Sequence, residues 1–157
     1  MMKHKEWIDA AFEEAYKGMR NNAGGPFGAV VVLNNQIVGL GHNQVTSTHD
    51  PTAHAEMVAL RDACKKLKQF HLVDAEIYTT SEPCPMCLAA LYWANIKKIY
   101  YSTDKHQVAE IGFSDQFIYE QFKLPEEERF IPIEQIDLEK GKALFEEWRN
   151  KEDKTHY

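Results

Sequence analysis

Cysteine is scarce in this sequence. Cys64, Cys84 and Cys87 are the only three among 157 residues, an odd and small set that excludes a disulfide framework. In a reducing compartment the Cys84-x-x-Cys87 pair is expected to bind a metal or act in catalysis, not to form a bridge. Long apolar runs are also missing. No stretch approaches the roughly 20 residues of a membrane span, so no membrane contact is expected. Acidic residues interrupt the opening MMKHKEWIDAAFEEAYKG, so this stretch is not expected to be a secretory signal, and a cytoplasmic location is the default. Positive charge is in deficit. A net charge of −6 argues against a large nucleic-acid footprint, which needs a basic face, and leaves room only for a local basic patch. No repeat, low-complexity tract or linker separates one part of the chain from another, so residues 1–157 are expected to form a single domain.

Apolar patterning is present in ordinary amount. Ile8, Ala11, Phe12, Ala15 and Met19 recur at helical spacing and predict a helix from about Lys5 to Arg20, ended by NNAGGP. FGAVVVL and QIVGLGHN read as strands joined by Asn34-Asn35, residues that tolerate the positive φ of a hairpin turn. QVTSTHDPT reads as a polar loop. Met57, Leu60, Cys64 and Leu67 mark a second helix over Ala53–Lys68. AEIYTTS is a third strand, and Glu82-Pro83-Cys84 opens a third helix through MCLAALYWAN, with proline suited to its first turn. IKKIYYST is a fourth strand. The alternation of strand and helix predicts right-handed crossovers and partly parallel pairing. DKHQVAEIGF suggests a short helix, and GKALFEEWRNK a final one with Leu144, Phe145 and Trp148 on one side.

Two short stretches carry the chemistry. A thiolate pair at the start of a helix is a good chelate, because both sulfurs can face one point and the helix N-terminus favours the thiolate. Cys64 lies on an apolar helical stripe and reads as a small buried hydrophobe, so a third ligand must come from one of the seven histidines. His54 also stands at a predicted helix start. If both helices begin at the same edge of a sheet, where the preceding strands end, His54, Cys84 and Cys87 can share one ion and leave a position open, the pattern of catalytic zinc. Glu56, in the first turn after His54, could then take a proton from water and return it to a leaving group. The order H-x-E followed by P-C-x-x-C is the signature of zinc-dependent nucleobase deaminases.

DPTAHAEMVAL and EPCPMCLAALYWA resemble the cytidine deaminase-like superfamily, in the branch shared by guanine deaminases and tRNA adenosine deaminases. The resemblance runs from GGPFGAVVV almost to the last residue, and EIGFSDQFIYEQFKLPEEERFIPIEQ with the aromatic C-terminus is similar to small bacterial guanine deaminases. It implies an α/β fold of three layers, α/β/α, around a central mixed five-stranded sheet. It implies one zinc ion per subunit on His54, Cys84 and Cys87, with Glu56 as proton shuttle. Asn43 would bond the purine through its amide as donor and acceptor, Phe27 and Trp93 would wall the ring, and Asp115 would stand near the amino group. Tyr157 would close the pocket. It further implies a homodimer that exchanges the C-terminal segment, about 131–157, and hydrolytic deamination of guanine to xanthine and ammonia.

Plain structural readings of several of these residues stay open. Phe27 and Trp93 could be core, Asn43 a turn former, Asp115 a helix cap, and Tyr157 part of a frayed end. Two other functions also stay open. One is deamination of adenosine in tRNA, or of guanosine or cytosine, by the same metal chemistry. The other is a non-catalytic zinc-stabilised interaction domain, which would have no use for Glu56.

Overall fold

The structure, a computed structural model, describes residues 2–157, in two compact units, 2–115 and 116–157. In the first unit, helix α1 (Met2–Arg20) leads into strand β1 (Gly28–Leu33) and strand β2 (Gln36–His42). Asn34 and Asn35 between the strands both have positive φ, 51° and 62°, which closes the expected hairpin. The polar loop that follows contains one unexpected helical turn, α2 (Val45–Thr48), tied down by Thr48 Oγ1 donating to the Gln44 carbonyl. Next come α3 (Ala55–Leu67), β3 (Glu76–Ser81), α4 (Pro85–Trp93), β4 (Lys98–Thr103) and α5 (Lys105–Glu110). The proline at the first position of α4 is Pro85, and Pro83 lies before the helix.

The sheet is mixed, in the order β2-β1-β3-β4. It has four strands among the described residues, where five were expected. β1 pairs antiparallel with β2 and with β3, and β3 pairs parallel with β4 across the α4 crossover. The strands β2, β3 and β4 therefore all end at one edge of the sheet, and β1 begins there. Strand alternation divides the core between two faces. Ala29, Val31 and Ile77 face α3 and α4, whereas Val30, Val32 and Tyr78 face Trp7 and Ala11 of α1. The result is the three-layer α/β/α arrangement.

Small residues set how close the layers come. The inner stripe of α3 is Ala55, Ala59 and Ala63, and it lies on the glycines of β2. A Cβ on Gly41 would stand 2.4 Å from both the Ala55 oxygen and the Ala59 nitrogen, closer than atoms pack. We expect Gly41→Ala to destabilise the protein by about 1–3 kcal/mol, read as a lower urea midpoint with an unchanged m-value. A midpoint equal to that of the parent would mean that α3 has room to shift. In α1 the buried stripe is Trp7, Ala11 and Ala15, and Met19 is exposed. The expected face holds at Ile8, Ala11 and Ala15, where Gly28 of β1 lets the backbones of helix and strand approach, and only Met19 at its end falls outside the core.

The second unit holds α6 (Gln116–Lys123), a 3₁₀ turn (Glu126–Glu128) and α7 (Leu138–Asn150). Phe117 and Phe130 meet edge to face with centroids 5.7 Å apart, inside the roughly 4.5–7 Å range of aromatic pairs, and Gln121 Oε1 accepts from the Phe130 N–H. No residue of this unit is buried. No helix of the described residues is long and apolar enough to cross a membrane.

Candidate active site

The site is built where helices start at the strand-end edge of the sheet. His54 is the N-cap residue of α3 and Cys84 the N-cap of α4, both with extended backbone and neither making a side-chain cap bond. Ser, Thr, Asp or Asn at such a position typically stabilises a helix by about 1 kcal/mol. Both helices forgo that contribution and turn their cap side chains on one another. Cys84 Sγ lies 3.5 Å from His54 Nδ1, and Cys87 Sγ lies 3.6 Å from the same nitrogen. All three ligand atoms fall within 4.8 Å of one another. A tetrahedral ion bound at about 2.0–2.1 Å by nitrogen and about 2.3 Å by sulfur separates those atoms by about 3.6 Å. The three side chains therefore fit zinc, as the sequence pattern predicts.

The ligand set has a polarised protonation pattern. The Cys87 thiol hydrogen-bonds to Cys84 and, with His54, holds the Cys84 thiol well below its usual range. The same bond to Cys84, with burial and the nearby Glu56, pushes the Cys87 thiol up. The Cys84 sulfur raises His54. Cys64 behaves differently. It packs against the α3 side of the core, far along the helix from His54, and burial raises its thiol.

Glu56 sits in the first turn of α3 and is 7% exposed. Burial pushes its carboxyl up, aided by the Cys84 charge and opposed by its own backbone N–H and by His54. Its Oε2 is 3.6 Å from Cys87 Sγ, and its Oε1 accepts from the Thr79 hydroxyl at 3.3 Å. A buried carboxyl with a raised pKa beside a ligand cluster suits proton transfer near neutral pH.

Asn43, at the end of β2, is 6% exposed. Its Oδ1 accepts from the backbone N–H groups of Gly25 and Val45. These two donors identify which end of the amide is oxygen and take up both of its lone pairs, so the Nδ2 hydrogens are what the amide has to offer a ligand. Gly24 makes this placement possible, since a Cβ there would meet Asn43 Oδ1 at 2.1 Å. Phe27 precedes β1 at the same edge, its carbonyl accepting from the Asn43 N–H, and its ring meets Phe113 edge to face at 5.0 Å. Asp115 follows in the loop after α5. Burial raises its carboxyl, Cys84 and Glu82 add to that, and Lys105 opposes it, so it lies within electrostatic reach of the cluster.

Trp93 is placed elsewhere. It ends α4, nine residues after Cys84 and so about 13 Å along the helix, and is 70% exposed. It is therefore not core. Tyr157 belongs to the second unit and is 77% exposed. Sequence reasoning overlooked Thr79, Gly24 and Phe113. For Thr79 a signal existed, because Thr79-Thr80-Ser81 puts three buried hydroxyls in a row immediately before Glu82-Pro83-Cys84.

A three-ligand site with an adjacent carboxylate, on a mixed sheet with helix N-termini at one edge, defines a class of metal-dependent deaminase. The chain belongs to the cytidine and deoxycytidylate deaminase zinc-binding family, whose model matches residues 1–103. It is 45% identical to a guanine deaminase of Bacillus subtilis over 156 residues, covering 99% of this chain and 100% of that protein. A crystal structure of guanine deaminase from Bacillus subtilis superposes with a TM-score of 0.95 at 45% identity, covering 98% of each chain. A tRNA-specific adenosine deaminase of Aquifex aeolicus is 44% identical, but only over 77 residues, 49% of this chain and 51% of that one. The structure of a guanine deaminase from Nitrosomonas europaea matches with a TM-score of 0.67 at 27% identity, covering 70% of this chain and 64% of that one.

Proposed function

We propose that the protein is a zinc-dependent guanine deaminase, converting guanine and water to xanthine and ammonia in the cytoplasm. The observation that carries this reading is the convergence of His54, Cys84 and Cys87 with the Glu56 carboxyl at their side, in a chain similar to a guanine deaminase along its whole length. His54, Cys84 and Cys87 would hold the zinc ion, which would supply the Lewis acidity that makes water nucleophilic near neutral pH. Glu56 takes a proton from the water that attacks C2 and gives it to the adjacent ring nitrogen. It then takes the proton of the new C2 hydroxyl and delivers it to the amino group, so that the C2 carbonyl forms as the C2–N bond breaks and ammonia departs. Asn43 donates through Nδ2 to an acceptor on the purine, Phe27 lies against the ring, and Asp115 stands near the departing amino group. Adenine lacks the oxo group and the six-membered-ring N–H of guanine, and a pocket built to bond these rejects a base that leaves its polar groups unpaired.

Ammonia release from zinc-loaded protein tests the reading, across guanine, guanosine, adenine, cytosine, an aminotriazine and a tRNA anticodon stem-loop. Guanine is expected to be consumed with one xanthine formed per ammonia. Turnover of the stem-loop with none of guanine would replace this reading by the tRNA one. Charge weighs against that outcome, since the second unit carries 11 Asp and Glu against 7 Lys and Arg, a poor match for a phosphate backbone.

The working form is a homodimer in which residues 131–157 cross to the partner and Tyr157 closes the partner's pocket. Two features support it. The second unit exposes Phe130, Ile131, Ile136, Leu144 and Phe145 and has no core of its own, which a segment of its size cannot sustain in water. Helix α4, PMCLAALYW, has no charged residue on any face, the composition of a helix covered all round, although Tyr92 and Trp93 are exposed. Light scattering is expected to give twice the chain mass. Removing Tyr157 is expected to slow guanine turnover while zinc content stays at one per chain. Unchanged kinetics in that truncation would make the terminal ring a bystander.

A further inference from the structure

We infer that Thr79 is a positioning residue for the proton shuttle, its hydroxyl holding Glu56 Oε1 so that Oε2 is the oxygen that exchanges protons. The inference rests on Glu56 being the shuttle. Thr79 lies in β3, between Ala29 of β1 and Tyr101 of β4, in the interior of the sheet, and is 1% exposed. Alternation puts it on the face of Ile77, toward α3, and its Oγ1 donates to Glu56 Oε1 at 3.3 Å. Glu56 Oε2 is the oxygen turned toward Cys87.

The two oxygens of a free carboxylate are interchangeable, because the terminal torsion of a glutamate is broad and two-fold. A hydroxyl on a central strand removes that equivalence. Threonine is stiff at χ1 in a strand, so the donor itself is held by the sheet and not only by its bond. The sheet that aligns the helix N-termini thus also sets the rotation of the carboxyl group that works between them. Displacing a reacting group by about 1 Å can cost on the order of 100-fold in rate.

Thr79→Val keeps the shape and removes the hydroxyl, Thr79→Ala removes both, and Thr79→Ser keeps the hydroxyl. With zinc content measured for each, Val and Ala are expected to lower kcat for guanine by about 10- to 100-fold with KM within about twofold. Ser is expected to stay within about threefold of the parent, its looser χ1 accounting for the difference. Three results would overturn the inference: full kcat in Thr79→Val, a loss that follows side-chain volume with Ala and Ser equally slow, or a loss carried by KM or by zinc. Glu56→Gln, assayed beside them, separates the two layers. An active Glu56→Gln removes the shuttle assignment, whereas an inactive one with an unaffected Thr79→Val removes only the role of Thr79.

Discussion

Replacing Glu56 by Gln is expected to leave a folded, zinc-loaded protein whose guanine turnover falls by about 1,000-fold or more, the upper range for loss of a general acid–base and equivalent to about 4 kcal/mol of barrier. The substitution keeps the side chain's length and shape and removes its ability to carry a proton back and forth. In the metal-free protein burial pushes the Glu56 carboxyl up, so folding opposes its charged form, and a neutral amide at that position is free of this cost. Stripped of zinc, the variant should therefore unfold at a temperature no lower than the stripped parent. Loss of activity without loss of stability is the mark of a group placed for chemistry at the expense of the fold. Steady-state ammonia release, metal analysis and a thermal scan on one preparation check all three statements. Near-parental turnover in the Gln variant would refute the proton-shuttle role.

Removing the metal is expected to have the second large effect. Stripping zinc with a chelator should abolish turnover, and added Zn²⁺ should restore it. The thermal midpoint should fall as well, since a ligand present at about 1,000 times its dissociation constant stabilises the folded state by about 4 kcal/mol. The structure gives a reason to expect a visible effect here. His54 and Cys84 occupy cap positions without capping their helices, so without the ion the starts of α3 and α4 lack that tie. Cys87→Ala should reproduce the loss by removing a buried ligand. Cys64→Ala should retain zinc and turnover, because Cys64 only packs against the core. A chelated sample that deaminates guanine at the parental rate would sink the metal-centred reading.

The same residues show what a sequence can and cannot disclose. The hairpin at Asn34-Asn35, the helices on either side of the motifs and the exclusion of Cys64 as a ligand were legible, because turn chemistry and helical period are local. The start of α4 was legible only to within a residue or two, with Pro85 and not Pro83 at its first position. The face that α1 buries was legible at Ile8, Ala11 and Ala15, but the spacing did not disclose Trp7 as part of the core or Met19 as exposed. A fifth strand was expected and four are present among the described residues. The stretch between Pro125 and Leu138, rich in proline and isoleucine, neither alternates as a strand nor repeats as a helix.

By itself the sequence determined the donor types, their spacing within each motif and hence the chemistry available: an imidazole and a carboxylate in one first turn, two sulfurs in another. Only the tertiary structure decided that the two turns meet, since β2 and β3 run in the same direction by virtue of sharing β1 as an antiparallel neighbour. It also decided that backbone N–H groups take up the oxygen of the Asn43 amide, that Trp93 is exposed, and that Thr79 reaches Glu56 across 23 residues of chain. The physical reason is the range of the forces involved. Turn and helix preferences act within a few residues, whereas a hydrogen bond or a metal bond between remote groups needs both partners placed to within a fraction of an ångström, and it is the packing of the sheet that places them.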